Sequence, residues 1–281
     1  YERVGLTLQA NMVVVRDDRT GGFHACASRA HATEKALILM SDDAGCLRET
    51  AQACLDARPV VMPCSPAGRE AAAQVARDLS LPLGVVAGEV DDLAAQAKAA
   101  EESGIQDILL GVSSENPAEV FRCLVMIRRA AILGRIRELG HPVLAMPFQV
   151  TDDRLLEAVY AAVFVAKYAS AVVMSDLSGE TLFPLLLARL NIFTDPQRPM
   201  ATPEGIYEIS KPGPDAPVFL TSNFSLTYFI VSGEIENSRT PAYLLVQDTE
   251  GLSVLTAWAA DKLNAESIAA LVKKTKIEER V

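Results

Sequence analysis

The sequence has 281 residues, half of them hydrophobic, with 26 Lys and Arg against 36 Asp and Glu and a formal net charge of -10. That balance excludes a disordered chain, and it argues against a nucleic-acid backbone or an anionic membrane as partner, since either is met with clustered cations. No apolar run reaches the roughly 18–20 residues of a membrane span and no basic-then-apolar leader opens the sequence, so no nucleic acid and no membrane is expected as partner, and a cytoplasmic location is expected.

From Tyr1, which is not a methionine, the sequence is already patterned, and it stops at Val281 soon after a helical stretch, so a piece of a longer protein is expected. Short apolar, β-branched runs alternate with longer Ala- and Leu-rich amphipathic ones, the pattern of βα units. In chain order the strands are Asn11 to Arg16, Ala36 to Ser41, Pro59 to Cys64, Pro82 to Ala87, Asp107 to Val112, Pro142 to Phe148 and Ala171 to Ser175. Each is nearly all apolar, as a parallel strand covered on both faces should be. Between and after them the helices are Gly45 to Ala57, Pro66 to Asp78, Val90 to Ser103, Pro117 to Leu139, Asp153 to Ala169 and Glu180 to Leu190. Gly104 and Gly140 follow helices, and Asn116 stands as an N-cap before Pro117 at the first helical position.

Seven such strands are one short of a (β/α) barrel, and the eighth would come from sequence before Tyr1 or from Val218 to Thr221. An open doubly wound sheet is the rival, but no Gly-x-Gly-x-x-Gly turn is present to hold a dinucleotide. A TIM-like barrel over residues 1–214, lacking its first strand, is therefore expected. The stretch Thr194-Asp-Pro-Gln-Arg-Pro-Met-Ala-Thr-Pro-Glu-Gly205, continuing to Lys211-Pro-Gly-Pro-Asp-Ala-Pro217, is dense in Pro and Gly and reads as a linker to a second domain over residues 215–281.

Loops after parallel strands build the functional face of a barrel. They hold Asp17, Asp18, Ser41, Asp42, Asp43, Ser65, Gly88, Glu89, Ser113, Ser114, Glu115, Gln149, Asp176, Ser178, Gly179 and Glu180. Carboxylates there would serve acid/base or metal chemistry, but the same residue types cap helices, and capping is the simpler expectation for each. His24, His31 and His141 show no ligand spacing, and Cys26, Cys46, Cys54, Cys64 and Cys123 are odd in number and scattered, which reads as buried thiols rather than a metal set. Ser178-Gly179 lacks the Gly-x-Ser-x-Gly frame of a hydrolase. No catalytic residue and no metal ligand is assigned. Arg128, Arg129, Arg135 and Arg137 form one basic cluster, a solvated surface or a subunit contact.

In the second domain Leu226 to Val231 and Tyr243 to Val246 read as strands and Leu252 to Leu263 as a helix launched from Asp248-Thr-Glu-Gly251. A polar turn at the carboxyl end of a strand is where open α/β sheets bind a flat or phosphorylated ligand. It is equally a good helix start, and spacing leaves both readings open.

The run Thr221-Ser-Asn-Phe-Ser-Leu-Thr-Tyr-Phe229 with Gly233, then Asp248-Thr-Glu-Gly251 and Val254-Leu-Thr-Ala-Trp-Ala-Ala260, together with Ser178-Gly-Glu180 and Thr194-Asp-Pro-Gln197, resembles the large (gamma) subunit of the corrinoid iron–sulfur protein of the acetyl-CoA decarbonylase/synthase system. The resemblance implies a TIM-like (β/α) barrel followed by part of a small α/β corrinoid-binding domain. It implies a methyl carrier of the reductive acetyl-CoA (Wood-Ljungdahl) pathway, which takes a methyl group from methyl-tetrahydrofolate or methyl-tetrahydropterin on cobalt and passes it to acetyl-CoA synthase. The implied cofactors are a corrinoid (cobalamin) and an iron–sulfur cluster whose four-cysteine motif lies outside these residues. The implied partners are a small corrinoid iron–sulfur protein subunit in a heterodimer, a pterin methyltransferase and acetyl-CoA synthase. By resemblance and turn chemistry the cofactor-binding residues are Thr221, Asn223, Phe224, Ser225, Thr227, Asp248, Thr249, Gly251, Leu252, Ser253 and Thr256. No Asp-x-His-x-x-Gly is present to offer cobalt a histidine, so Thr249 or Thr256 would orient a water at the cofactor's lower face instead. Two other expectations stand beside this one: a pterin-binding barrel methyltransferase acting directly on substrate, and a non-catalytic barrel scaffold.

Overall fold

The computed structural model describes residues 1–3, 6–192 and 200–281, and the chain divides into two compact units, Gln9–Ile192 and Tyr1–Leu8 with Phe193–Val281. The Thr194-Asp-Pro-Gln197 stretch lies outside the described residues.

In the larger unit seven strands alternate with seven helices: β3 (Met12–Arg16), α1 (Phe23–His31), β4 (Ala36–Met40), α2 (Ala44–Ala53), β5 (Val60–Met62), α3 (Arg69–Leu79), β6 (Leu83–Ala87), α4 (Val90–Glu102), β7 (Ile108–Val112), α5 (Pro117–Ile132), β8 (Val143–Ala145), α6 (Arg154–Ala166), β9 (Ala171–Val172) and α7 (Gly179–Ile192). All the strands pair in parallel and in sequence order from β3 to β9, so the sheet is a curled half-barrel of the TIM type. Helix entry follows the expected chemistry: Asp43, Asn116 and Asp153 each accept a backbone N–H of the turn they open. Gly104, at φ +93°, takes the left-handed conformation that closes α4.

Alternate strand residues point to opposite faces. One set, including Leu37, Leu39, Val61, Val85, Leu110 and Ala145, packs against the helices, and the other, Ile38, Met40, Met62, Val86, Leu109, Leu144 and Met146, fills the concave face. Gly84 and Gly111 make room for Met62 there: a Cβ on Gly84 would lie 2.5 Å from Met62 Cβ, and one on Gly111 2.9 Å from Met62 Cε.

In the smaller unit β1 (Glu2–Arg3) and β2 (Leu6–Thr7) form a short antiparallel pair. A three-stranded sheet follows, from β10 (Gly205–Ile209), β11 (Val218–Ser222) and β12 (Ala242–Gln247), with β12 central, antiparallel to β10 and parallel to β11. Helix α8 (Ser225–Asn237) is the crossover between the parallel strands, and α9 (Val254–Ala259) and α10 (Ala265–Thr275) follow β12. One side of β12 packs Leu244 and Val246 with Ile235 of α8, and the other packs Tyr243 and Leu245 with Leu271 of α10.

Several expectations are corrected. Leu226 to Val231 is helix, not strand, because two parallel neighbours need a crossover and this apolar run is the only segment between them. Val218 to Thr221 is a strand, but it pairs with β12 rather than completing the barrel. The Pro-rich linker contains β10, whose Gly205–Ile209 register on β12 no local pattern announces. The helix from Pro117 ends at Ile132, where Gly134 and a left-handed Arg135 stop it. Of the five thiols, Cys54 and Cys123 are buried, but Cys26 is exposed.

Candidate functional site

The carboxyl ends of β11 and β12 lie side by side, with Thr221 opposite Val246 and Ser222 opposite Gln247. The loops leaving these ends are tied by one side chain. Asn223, only 4% exposed, accepts through Oδ1 from the backbone N–H of Thr249 (3.0 Å), the hydroxyl of Thr249 (3.0 Å) and the backbone N–H of Gly251 (2.9 Å). Its Nδ2 donates to Asp248 Oδ1 at 2.9 Å, and that same oxygen accepts the N–H of Glu250. The turn needs two left-handed residues in succession, Glu250 at φ +58° and Gly251 at φ +77°, and the Asn223 amide supplies the acceptor that holds it.

A carboxylate missed in the sequence steadies the same turn. Glu204, just before β10, accepts the Asp248 N–H at 3.0 Å through Oε2 and pairs through Oε1 with Lys274 of α10. Those bonds to Lys274 and then to the Asp248 N–H hold its carboxyl below the ordinary carboxylate range. Its place inside a Pro- and Gly-rich stretch gave no signal.

Around this hub Thr221 Oγ1, Ser222 Oγ and Gln247 Oε1 are buried with no hydrogen-bond partner among the described residues. The residues are 2%, 0% and 7% exposed, so water does not reach them freely, and an unmet buried acceptor or hydroxyl is costly. Ser222 and Gln247 were not anticipated. The available signal was a polar residue closing each of two otherwise apolar strands.

The anticipated residues separate into two groups. Thr221, Asn223, Ser225, Thr249 and Gly251 are inside, where the Thr249 hydroxyl lies 2.9 Å from the Leu252 carbonyl as well as beside Asn223. Phe224, Thr227, Leu252 and Ser253 are half-buried, while Asp248 and Thr256 are exposed, with Ser253 Oγ and Thr256 Oγ1 sharing a hydrogen bond at 3.0 Å. Exposed apolar side chains accompany them: Leu226 on the first turn of α8, and Leu255 and Trp258 on α9, 79% and 70% exposed. Buried unmet polar atoms beside an apolar rim suit a large ligand with both polar arms and a flat face.

In the larger unit the polar residues after the strands are spent on local structure. Asp42 accepts the N–H groups of Cys64 and Ser65 and the Ser65 hydroxyl, Asp17 accepts from Ser41, Ser113 donates to Gln149, and Asp176 pairs with Arg154. Arg16 lies over the Phe148 ring at 6.0 Å. His31 and His141 pair with Asp56 and Glu101. Among the described residues no group of three His, Cys, Asp or Glu is gathered as a metal site would need.

The family model described as CO dehydrogenase/acetyl-CoA synthase delta subunit matches residues 1–281. The corrinoid/iron-sulfur protein large subunit of Moorella thermoacetica is 37% identical over 285 residues, which cover 100% of this chain and 63% of that protein. The acetyl-CoA decarbonylase/synthase complex subunit gamma of Archaeoglobus fulgidus is 31% identical over 258 residues, 88% of this chain and 55% of that one. The chain thus spans between 55% and 63% of the length of these two relatives. Among solved structures, dihydropteroate synthase from Thermus thermophilus is similar at a TM-score of 0.49 and 15% identity over 66% of this chain and 84% of that one, from which nothing about ligands follows.

Proposed function

This chain belongs to the family described as the CO dehydrogenase/acetyl-CoA synthase delta subunit, and we propose that within that system it is the methyl-carrier subunit whose smaller unit holds a corrinoid. The observation that carries the proposal is the pair of unmet buried polar atoms Ser222 Oγ and Gln247 Oε1, opposite one another at the carboxyl ends of two parallel strands and on one face of the sheet, beside the Asn223 hub. Carboxamide and hydroxyl arms are what such atoms lack, and a corrinoid carries both.

When bound, the corrinoid supplies a cobalt that takes up and releases a methyl group. The protein's own residues bind and orient. Asn223, through Thr249 and Gly251, fixes the loop after β12; Ser222 and Gln247 would meet polar arms on one face of the sheet and Thr221 on the other, and Leu226, Leu255 and Trp258 would keep water from the flat face. A hydroxyl for the cofactor's lower face would come from Thr256 or Ser253, since that of Thr249 is enclosed. The methyl donor would be a methylated tetrahydrofolate or tetrahydropterin presented by a partner methyltransferase, with acetyl-CoA synthase as the acceptor. A small corrinoid iron–sulfur subunit would complete a heterodimer.

An iron–sulfur cluster, carried in the name of the Moorella relative, does not fit the thiols seen here. Cys26, Cys46, Cys54, Cys64 and Cys123 are separate free thiols, and among the described residues no three of His, Cys, Asp or Glu are gathered to hold a metal. We place the cluster outside residues 1–281. The larger unit, with Met40, Met62 and Met146 filling its concave face and its acids spent on capping, is assigned to scaffolding rather than to pterin chemistry.

The test is the cobalt content and visible spectrum of the protein isolated with its partner subunits from its native source. Stoichiometric cobalt with a base-off corrinoid spectrum is expected; a colourless, cobalt-free assembly would remove the proposal.

A further inference from the structure

Ser222 and Gln247 stand opposite one another at the ends of β11 and β12. Alternation along each strand puts both on the side of the sheet that holds Leu220, Tyr243 and Leu245, packed with Leu271 of α10. Thr221 lies on the other side, with Leu244, Val246 and Ile235 of α8. Ser222 Oγ and Gln247 Oε1 are therefore two unmet atoms at one place, a hydroxyl beside a carboxamide oxygen, at the polar end of an otherwise apolar layer. Left unmet they cost the chain stability, and the cost is recovered only by a group that satisfies both.

A corrinoid brings three kinds of polar group: carboxamide arms, ribose hydroxyls and a phosphate. The charges beside the pair disfavour the phosphate. Glu204 Oε2 accepts the N–H of Asp248, the residue that follows Gln247, and Glu204 Oε1 is already paired with Lys274. Those two bonds hold the Glu204 carboxyl below its ordinary range, so it is an anion at neutral pH, and Asp248 is a second acid on the same turn. An anionic group would enter beside both and lose its hydration as well. A hydroxyl has a single proton to give. A primary carboxamide has two N–H donors and a carbonyl acceptor, which answers an acceptor and a hydroxyl together.

Resting on the corrinoid reading above, we propose that Ser222 and Gln247 are the subsite for one carboxamide arm of that ligand and select it against the corresponding carboxylic acid. The arm's NH2 donates to Gln247 Oε1 and its carbonyl accepts from the Ser222 hydroxyl. Ser222 is wholly enclosed and Gln247 is 7% exposed, so the arm enters past Gln247, whose side chain turns to admit it.

The test uses the corrinoid-free full chain assembled with its partner subunits. It is titrated with cobalamin, with cobinamide, which keeps the carboxamides and lacks the nucleotide, and with the monocarboxylic acids of cobalamin, each with one arm hydrolysed. Binding is read from the visible absorbance. One of the acids is expected to bind at least about 10-fold more weakly than cobalamin, and the others as cobalamin does. Ser222→Ala with Gln247→Met, which removes both polar atoms at nearly constant volume, is expected to weaken cobalamin and cobinamide alike, by about 10-fold. Without corrinoid the same variant is expected to unfold at or above the wild-type midpoint, because the atoms removed had no partner to lose; a merely structural role would lower it. Acids that all bind as cobalamin does, a loss confined to cobalamin, which would assign the pair to the nucleotide, or a destabilised corrinoid-free variant would each overturn the proposal and leave the corrinoid function standing. A wild type that binds neither cobalamin nor cobinamide would remove that function, and this subsite with it.

Discussion

At the scale of single residues the smaller unit depends on Asn223. Removing its amide leaves the buried N–H groups of Thr249 and Gly251 without an acceptor, so Asn223→Ala is expected to cost about 2–4 kcal/mol in urea unfolding of the full chain and to release bound corrinoid. Asn223→Asp keeps the acceptor but sets a second carboxylate where the amide now donates to Asp248 at 2.9 Å. Its stability at pH 7 should fall below wild type in the same unfolding measurement, because two carboxylates then face each other across that distance. Glu204 has the opposite sign. Its carboxyl is held below its ordinary 4.5 by Lys274 and the Asp248 N–H, so its contribution is complete above that value and is lost as the pH falls through the lower folded-state one. Glu204→Gln should flatten that acid limb in a pH series of unfolding curves, and an unchanged limb would show that the turn does not need the carboxylate. Of these residues Asn223 was named from the sequence through the family resemblance of the run Thr221 to Phe229, whereas Glu204 was not, because its partner in the turn is 44 residues away.

At the scale of elements, the βα alternation of the larger unit followed directly from its nearly continuous apolar strands and its caps. The smaller unit did not follow. Phe229, Ile230 and Val231 have high strand propensity, yet they lie in α8, since the helical crossover outweighs a preference of a few tenths of a kcal/mol per residue. Gly233, inside that helix with nothing within 4 Å of where a Cβ would stand, should accept alanine with a gain of about 0.5–1 kcal/mol in thermal unfolding. The barrel glycines should behave otherwise. Gly111→Ala meets Met62 Cε at 2.9 Å, and the cost of about 1–3 kcal/mol should be partly relieved by Met62→Ala. Gly84→Ala meets Met62 Cβ at 2.5 Å, which alanine retains, so the same second change should bring little relief. A double-mutant cycle for each pair decides it.

For the whole molecule, the hydrophobic clusters found among the described residues are those around Leu39 and Met62 in Gln9–Ile192 and those around Leu244 and Leu245 in Phe193–Val281. Hydrogen exchange should therefore report local losses. Gly84→Ala is expected to speed exchange in β5 to β7 and leave β12 unchanged, and Asn223→Ala to do the reverse; a loss spread over both units in either variant would contradict this. The net charge of -10 acts at this scale also, keeping polyanions away.

By itself the sequence determined the parallel βα order of the larger unit, its helix starts, and the motifs that led to the family, because these depend on periodicity and on residues a few positions apart. Tertiary structure alone decided that Gly205–Ile209 is a strand, that Leu226 to Val231 is a helix, that Ser222 and Gln247 stand unmet beside the hub, and that α6 turns an apolar face outward. Each of these is set by partners distant in the chain, and no local pattern encodes which distant segment will arrive, or fail to arrive, to cover a given side chain.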